Sequence, residues 1–194
     1  MRKCILLAGA GVFIFVVGLA WAQKSTVSPR QTTPVFPSGS QPVPACGFSR
    51  VSLLRATPSK IPFTANDPGG AVPGGSVATV TWNITQGKFG KTWTLRVGTN
   101  SSSFIGCAMV PESAVSVKCT AATVEGGGQA SAGCNVNSFT TLPNTLPGLP
   151  VASGNEGNTG MHTYNVVLTY QLKDSWRYIA NTCPLDLTYT VNAQ

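Results

Sequence analysis

Past Cys46, apolar side chains recur at every second position, the period of a β-strand, and no useful length of chain keeps helical spacing. In TVTWNIT, Val80, Trp82 and Ile84 alternate with Thr79, Thr81, Asn83 and Thr85. In TWTLRV, Trp93, Leu95 and Val97 alternate with Thr92, Thr94 and Arg96. QGKFG between the two runs supplies two glycines in five residues, which predicts a hairpin presenting both tryptophans to one core.

The C-terminal third repeats the alternation. TYNVVLTYQL sets Tyr164, Val166, Leu168, Tyr170 and Leu172 on one face, and CPLDLTYTV sets Cys183, Leu185, Leu187, Tyr189 and Val191 on one face. Pro184 has no ladder donor and belongs at a strand start or an edge. Residues 48–54, 114–124, 129–139 and 175–179 complete about eight strands with Gly- and Pro-rich connections. That pattern predicts an all-β fold, an antiparallel β-sandwich of immunoglobulin-like or jelly-roll-like type. Residues 58–75 and 141–160 read as long loops, the part of a rigid sandwich that commonly carries binding.

A different pattern opens the chain. Arg2 and Lys3 precede an apolar run that ends in Ala20, Trp21 and Ala22, the A-x-A pattern of a cleaved export signal. Cleavage is expected after Ala22. The alternative is an uncleaved membrane anchor, because the 19 residues from Cys4 to Ala22 approach the length of a span, about 17–25. From Gln23 to Ala45, five prolines among Ser, Thr and Gln leave little to bury, so this stretch reads as a flexible leader. The expected organisation is a signal peptide over 1–22, a leader over 23–45 and one sandwich domain over 46–194.

Charge changes this picture little. Without Arg2 and Lys3, eleven basic residues stand against six acidic ones, an excess of about +5 that tolerates an anionic partner. The basic residues form no run, so nucleic acid is not an expected partner. Cysteine matters more. Cys46, Cys107, Cys119, Cys134 and Cys183 follow the signal, and in an exported chain they read as disulfide formers with one thiol left over. With Glu125 to Gly128 as a four-residue hairpin loop, Val124 stands opposite Gln129, and counting outward sets Cys119 opposite Cys134. That register predicts a Cys119–Cys134 bridge, with Cys107 a competitor for Cys119. Cys183 is then expected to meet Cys46 or Cys107.

Candidate chemistry is sparse. Cupredoxin copper needs two histidines, and His162 is the single histidine of the chain. It has no G-x-S-x-G elbow beside it, and there is no CxxC pair. The six carboxylates, Asp67, Glu112, Glu125, Glu156, Asp174 and Asp186, fall at no glycosidase or calcium-loop spacing. The triple glycine at 126–128 opens no helix and is followed by no lysine, so it reads as a turn and not a phosphate cradle. No catalytic residue, cofactor or metal is therefore expected. The sequons at Asn83 and Asn100 matter only in a glycosylating host.

A binding surface is the remaining expectation. Trp176 and Tyr178 in DSWRYIA are the surface aromatics, and Lys88, Lys91 and Arg96 cluster on the first predicted hairpin, where they would meet an anionic glycan or headgroup. The leading expectation is an exported, non-catalytic envelope or surface binding module with a protein or anionic-glycan partner and no membrane insertion once the signal is gone. The final run LDLTYTVNAQ resembles, over about ten residues, the terminal strands of bacterial surface-fibre subunits that assemble by strand addition. That resemblance implies a self-assembling fibre or coat subunit, joined through a terminal strand or the unpaired cysteine. Pro29, Pro34, Pro37, Pro42 and Pro44 make the leader a poor donor strand. A third expectation is a small enzyme acting on extracellular polymers through its long loops.

Overall fold

Alternating runs become strands because period-two burial suits a sheet that is packed on one face. The computed structural model describes residues 13–19, 50–64, 68–85, 90–158, 160–178 and 183–193. Its strands are β1 (Phe13–Leu19), β2 (Arg50–Thr57), β3 (Ala71–Pro73), β4 (Ala78–Thr85), β5 (Thr92–Gly98), β6 (Ser103–Phe104) and β7 (Cys107–Pro111). They continue as β8 (Val115–Glu125), β9 (Gly133–Cys134), β10 (Thr140–Thr141), β11 (Leu149–Asn155), β12 (Met161–Lys173) and β13 (Cys183–Ala193). A 3₁₀ turn, Glu112–Ala114, leads into β8.

The strands form an antiparallel β-sandwich. One sheet runs β1-β13-β5-β11-β9; the other runs β10-β8-β12-β4-β2, with β3 also paired to β12, and β6 and β7 form a separate ribbon. In the second sheet Trp82 stands opposite Tyr164 and Val80 opposite Val166, so both strands turn their apolar phase the same way. On the outer face the Thr81 hydroxyl donates to Asn165 Oδ1 at 2.7 Å.

The core lies between the sheets. Trp82 on β4 meets Trp93 on β5 edge to face at 4.9 Å and stacks on Tyr164 at 5.4 Å, and all three are fully buried. Toward the other end, the hydroxyls of Tyr170 on β12 and Tyr189 on β13 join the sheets through a 2.8 Å hydrogen bond. Burial pushes Tyr189 up to about 12, and burial with the neighbouring Tyr189 pushes Tyr170 well above the ordinary range. The folded chain thus holds these protons more tightly than the unfolded one. Their stabilising contribution is complete below pH about 10 and is lost as pH rises through about 12. Tm is expected to be flat up to pH 10 and to fall above it, with the fall reduced in Tyr170→Phe/Tyr189→Phe. At neutral pH Tyr189→Phe alone leaves the Tyr170 hydroxyl without this bond, a loss of about 1–2 kcal/mol, whereas the double variant is close to neutral. Urea titration of the cycle checks both expectations, and an additive double variant would contradict the pairing.

Several expected elements are placed differently. β4 and β5 are not a hairpin: they lie in different sheets, and the connection crosses the sandwich so that the two tryptophans meet across the core. The stretch 141–160 is not one loop, because it contains β11, which pairs with β5 on one side and β9 on the other. Its glycine and proline content has a packing cause. A β-carbon at Gly154 would run into the Ser131 carbonyl and the Trp93 ring, and the register shift falls between Pro150 and Ala152. Within 58–75, Ala71–Pro73 forms β3. Of 129–139 only Gly133 and Cys134 are strand, and residues 175–178 form a turn.

Both disulfides are present. Cys119–Cys134 has a Cα separation of 5.5 Å, and Cys107–Cys183 has one of 5.9 Å. The register argument for the first pair does not hold, however. β8 and β9 belong to different sheets, so that bridge clips the two sheets together at one lateral side. After Cys134 the chain returns to β8, where the Cys119 N–H donates to the Val136 carbonyl at 2.8 Å. The second bridge ties the β6–β7 ribbon to the start of β13. Cys46 lies outside the described residues.

Candidate functional site

At the end of the sandwich where β12 finishes, the chain turns sharply. Asp174 follows the last residue of β12, and its carboxylate accepts the Ser175 N–H at 2.7 Å, the self-bonding geometry for which Asp is favoured in turns. The Tyr178 N–H donates to the Ser175 carbonyl at 3.0 Å and closes the turn. Backbone bonds between Asp174 and the 69–70 segment anchor it, Gly69 N–H to the Asp174 carbonyl and Asp174 N–H to the Gly70 carbonyl.

This turn makes one wall of an open cleft of about 420 Å³. Lys173, Asp174, Trp176 and Tyr178 line one side; Pro111, which ends β7, and Ser113, from the 3₁₀ turn, line the other. Trp176 is 85% exposed, the most exposed large apolar side chain among the described residues. Asp174 is buried, and burial followed by the Asp174 charge raises the Tyr178 hydroxyl above its ordinary range. The cleft therefore combines a flat solvent-facing ring, a phenol kept protonated, and the exposed cation of Lys173. It can take a flat apolar face beside a negatively charged or hydroxyl group.

A second polar locus lies at the opposite end, under the β8–β9 and β11–β12 turns. His162 is buried with its ring between Gly126 and Gly157: a β-carbon would come within 2.7 Å of Nδ1 from the first and 2.8 Å of Nε2 from the second. Nε2 lies 3.3 Å from the Asn158 carbonyl, so a proton there can be donated to it, which leaves Nδ1 as a buried acceptor with no partner. Tyr164 donates its hydroxyl toward the carbonyls of Asn155 and Glu156, and burial with the Glu156 charge pushes it up to about 12. Glu156 is fully buried beside it. This locus is enclosed by turn backbone, so a polymer chain has no approach to the imidazole. Among the described residues no group of three or more His, Cys, Asp and Glu side chains converges to hold a metal ion.

The structure brings Trp176 and Tyr178 together and separates them from Lys91 and Arg96. Lys91 is exposed just before β5, at the His162 end, while Arg96 is half-buried in mid-strand with Nη1 donating to the Gly148 carbonyl at 3.0 Å. Lys88 lies outside the described residues. Lys91 and Arg96 thus form no common surface with the aromatic pair. Sequence reasoning overlooked Lys173, Asp174 and Ser113 as neighbours of Trp176. Asp-Ser directly after a strand was the local signal for a turn; the approach of the 3₁₀ segment had none. Comparison with family models, with curated proteins and with solved structures returns no match to this chain.

Proposed function

We propose that this chain is an exported, non-catalytic β-sandwich binding module of the cell envelope or surface, and that it contacts an anionic glycan through the Trp176 cleft. The observation that carries the reading is the exposure of Trp176 over a cleft that also presents Ser113, Lys173, Asp174 and Tyr178. A large ring kept in water at a turn tip gains little for the fold, but it can stack on the apolar face of a sugar ring. Lys173 supplies the charge that would favour an acidic sugar. Two disulfides indicate an oxidising environment of the kind met by exported proteins. Among the described residues no helix is long and apolar enough to cross a membrane.

The test is a binding screen on extracted envelope and acidic-glycan fractions, run with the wild type, Trp176→Ala and Lys173→Met. Trp176→Ala is expected to weaken binding roughly tenfold through loss of stacking, and Lys173→Met to flatten its dependence on salt. Unchanged binding by Trp176→Ala would remove the cleft from the proposal. Turnover of a polymer that depends on His162 or Glu156 would replace the binding module with an enzyme.

A further inference from the structure

We propose that the exported chain, once Phe13–Leu19 has been removed, forms a two-fold dimer in which β13 pairs antiparallel with β13 of a second copy about Leu187. The proposal rests on the export reading above, and on that part of it alone.

The sheet edges differ in how they are protected. On one lateral side the edge strands β9 and β10 have only two residues each, too short to template another chain. On the other side β2 is broken by a register shift between Ser52 and Arg55. β13 is the exception, eleven residues long and paired to β5 from Thr188 to Ala193 without a shift. Its other side is taken by β1, in seven consecutive pairs from Phe13 opposite Tyr189 to Leu19 opposite Cys183. β1 lies wholly within the segment expected to leave on export. Its loss strips a row of backbone donors and acceptors from a strand that carries Leu185, Leu187 and Tyr189 in the core.

The stripped strand complements itself. With Leu187 on the axis, Leu185 faces Tyr189 and Cys183 faces Val191, so core-phase residues meet core-phase residues. On the outer phase Asp186 faces Thr188 and Pro184 faces Thr190. A second observation points to the same register. Asp186 stands opposite Val16 of β1, and its Oδ1 is buried with no hydrogen-bond partner. Burial also raises its pKa. In the dimer the Thr188 hydroxyl of the second copy comes opposite Asp186 and supplies a donor for that oxygen. The proline-rich leader cannot supply a continuous ladder to compete for this edge, and a two-fold contact closes the assembly at two copies.

The protein is recovered after export from an expressing cell, and its intact mass is read first. A chain beginning at Gln23 meets the premise, and one that retains Phe13–Leu19 overturns the proposal at that step. Sedimentation velocity over a concentration series is then expected to show a dimer. Thr188→Asp sets two carboxylates against each other at both symmetry-related positions and is expected to weaken the dimer at least tenfold. Because Thr188 is buried, Thr188→Val, which keeps the shape and removes the hydroxyl, is run beside it and is expected to weaken the dimer with circular dichroism and Tm near wild type. Thr188→Lys, opposite Asp186, is expected to keep or tighten it. A lysine-flanked peptide of Phe13–Leu19 in excess is expected to return the dimer to monomer. A processed chain that stays monomeric, a dimer indifferent to Thr188→Asp, or oligomers that grow past two copies overturns the proposal. Trp176→Ala should leave the dimer intact, so failure of glycan binding and failure of pairing are read separately.

Discussion

Replacing Cys107 and Cys183 with serine is expected to destabilise the fold by roughly 4 kcal/mol, the loop-entropy value for a bridge spanning some 75 residues. The sequence separation of this pair is 76, against 15 for Cys119 and Cys134, whose removal is expected to cost roughly 3 kcal/mol. The larger effect has a structural counterpart. Cys183 opens β13 inside the core, and Cys107 belongs to a short ribbon that also reaches β13 through the Ile105 N–H bonded to the Pro184 carbonyl at 2.8 Å. Without the sulfur link, the ribbon and the start of β13 are held by few contacts, and both can open locally. Urea unfolding of the double-serine variants is the measurement. With a slope of about 2 kcal/mol per molar, the Cys107/Cys183 variant should lose about 2 M in midpoint. A loss smaller than that of the Cys119/Cys134 variant would argue that the unfolded chain is already constrained in that region.

Trp82→Ala is expected to cost about 3–5 kcal/mol, the range for truncating a fully buried large aromatic. Trp82 contacts both partners of the inter-sheet cluster, stacking on Tyr164 and meeting the edge of Trp93, while Trp93 itself lies 5.0 Å from Tyr164. Removing it opens a cavity where β4, β5 and β12 share a contact, and neighbouring rings are too rigid to collapse into it. Trp82→Phe provides the internal control. It keeps a ring in place and deletes an indole N–H that is buried without a partner, so a loss of less than half that of alanine is expected. Equal losses in the two variants would contradict the packing account and assign the cost to the indole N–H, and chemical denaturation of both distinguishes the cases.

The long alternating runs were legible because local chemistry and tertiary burial agree in them. Val80, Trp82 and Ile84, or Tyr164 through Leu172, are inward in the fold as their period requires. β11 was illegible because its local chemistry argues against a strand. Gly154 is there since Ser131 and Trp93 come too close for a side chain, and neither neighbour is near it in sequence. The site shows the same division. Trp176 and Tyr178 stood out as surface aromatics, yet the reading made them part of a strand; the Asp174 turn and the 3₁₀ segment across from them make the cleft.

By itself the sequence determined the class of fold, the inward phase of its long strands, and a poverty of histidine and carboxylate that narrows the chemistry open to it. These follow from period and composition, which act over a few residues. Only the tertiary structure decided that the two tryptophan strands face each other from opposite sheets, that Cys119 and Cys134 meet across the side of the sandwich, and that β1 covers the edge of β13. Each of those depends on which apolar face packs on which. A strand's alternation specifies that it has a buried face and leaves open what that face is buried against.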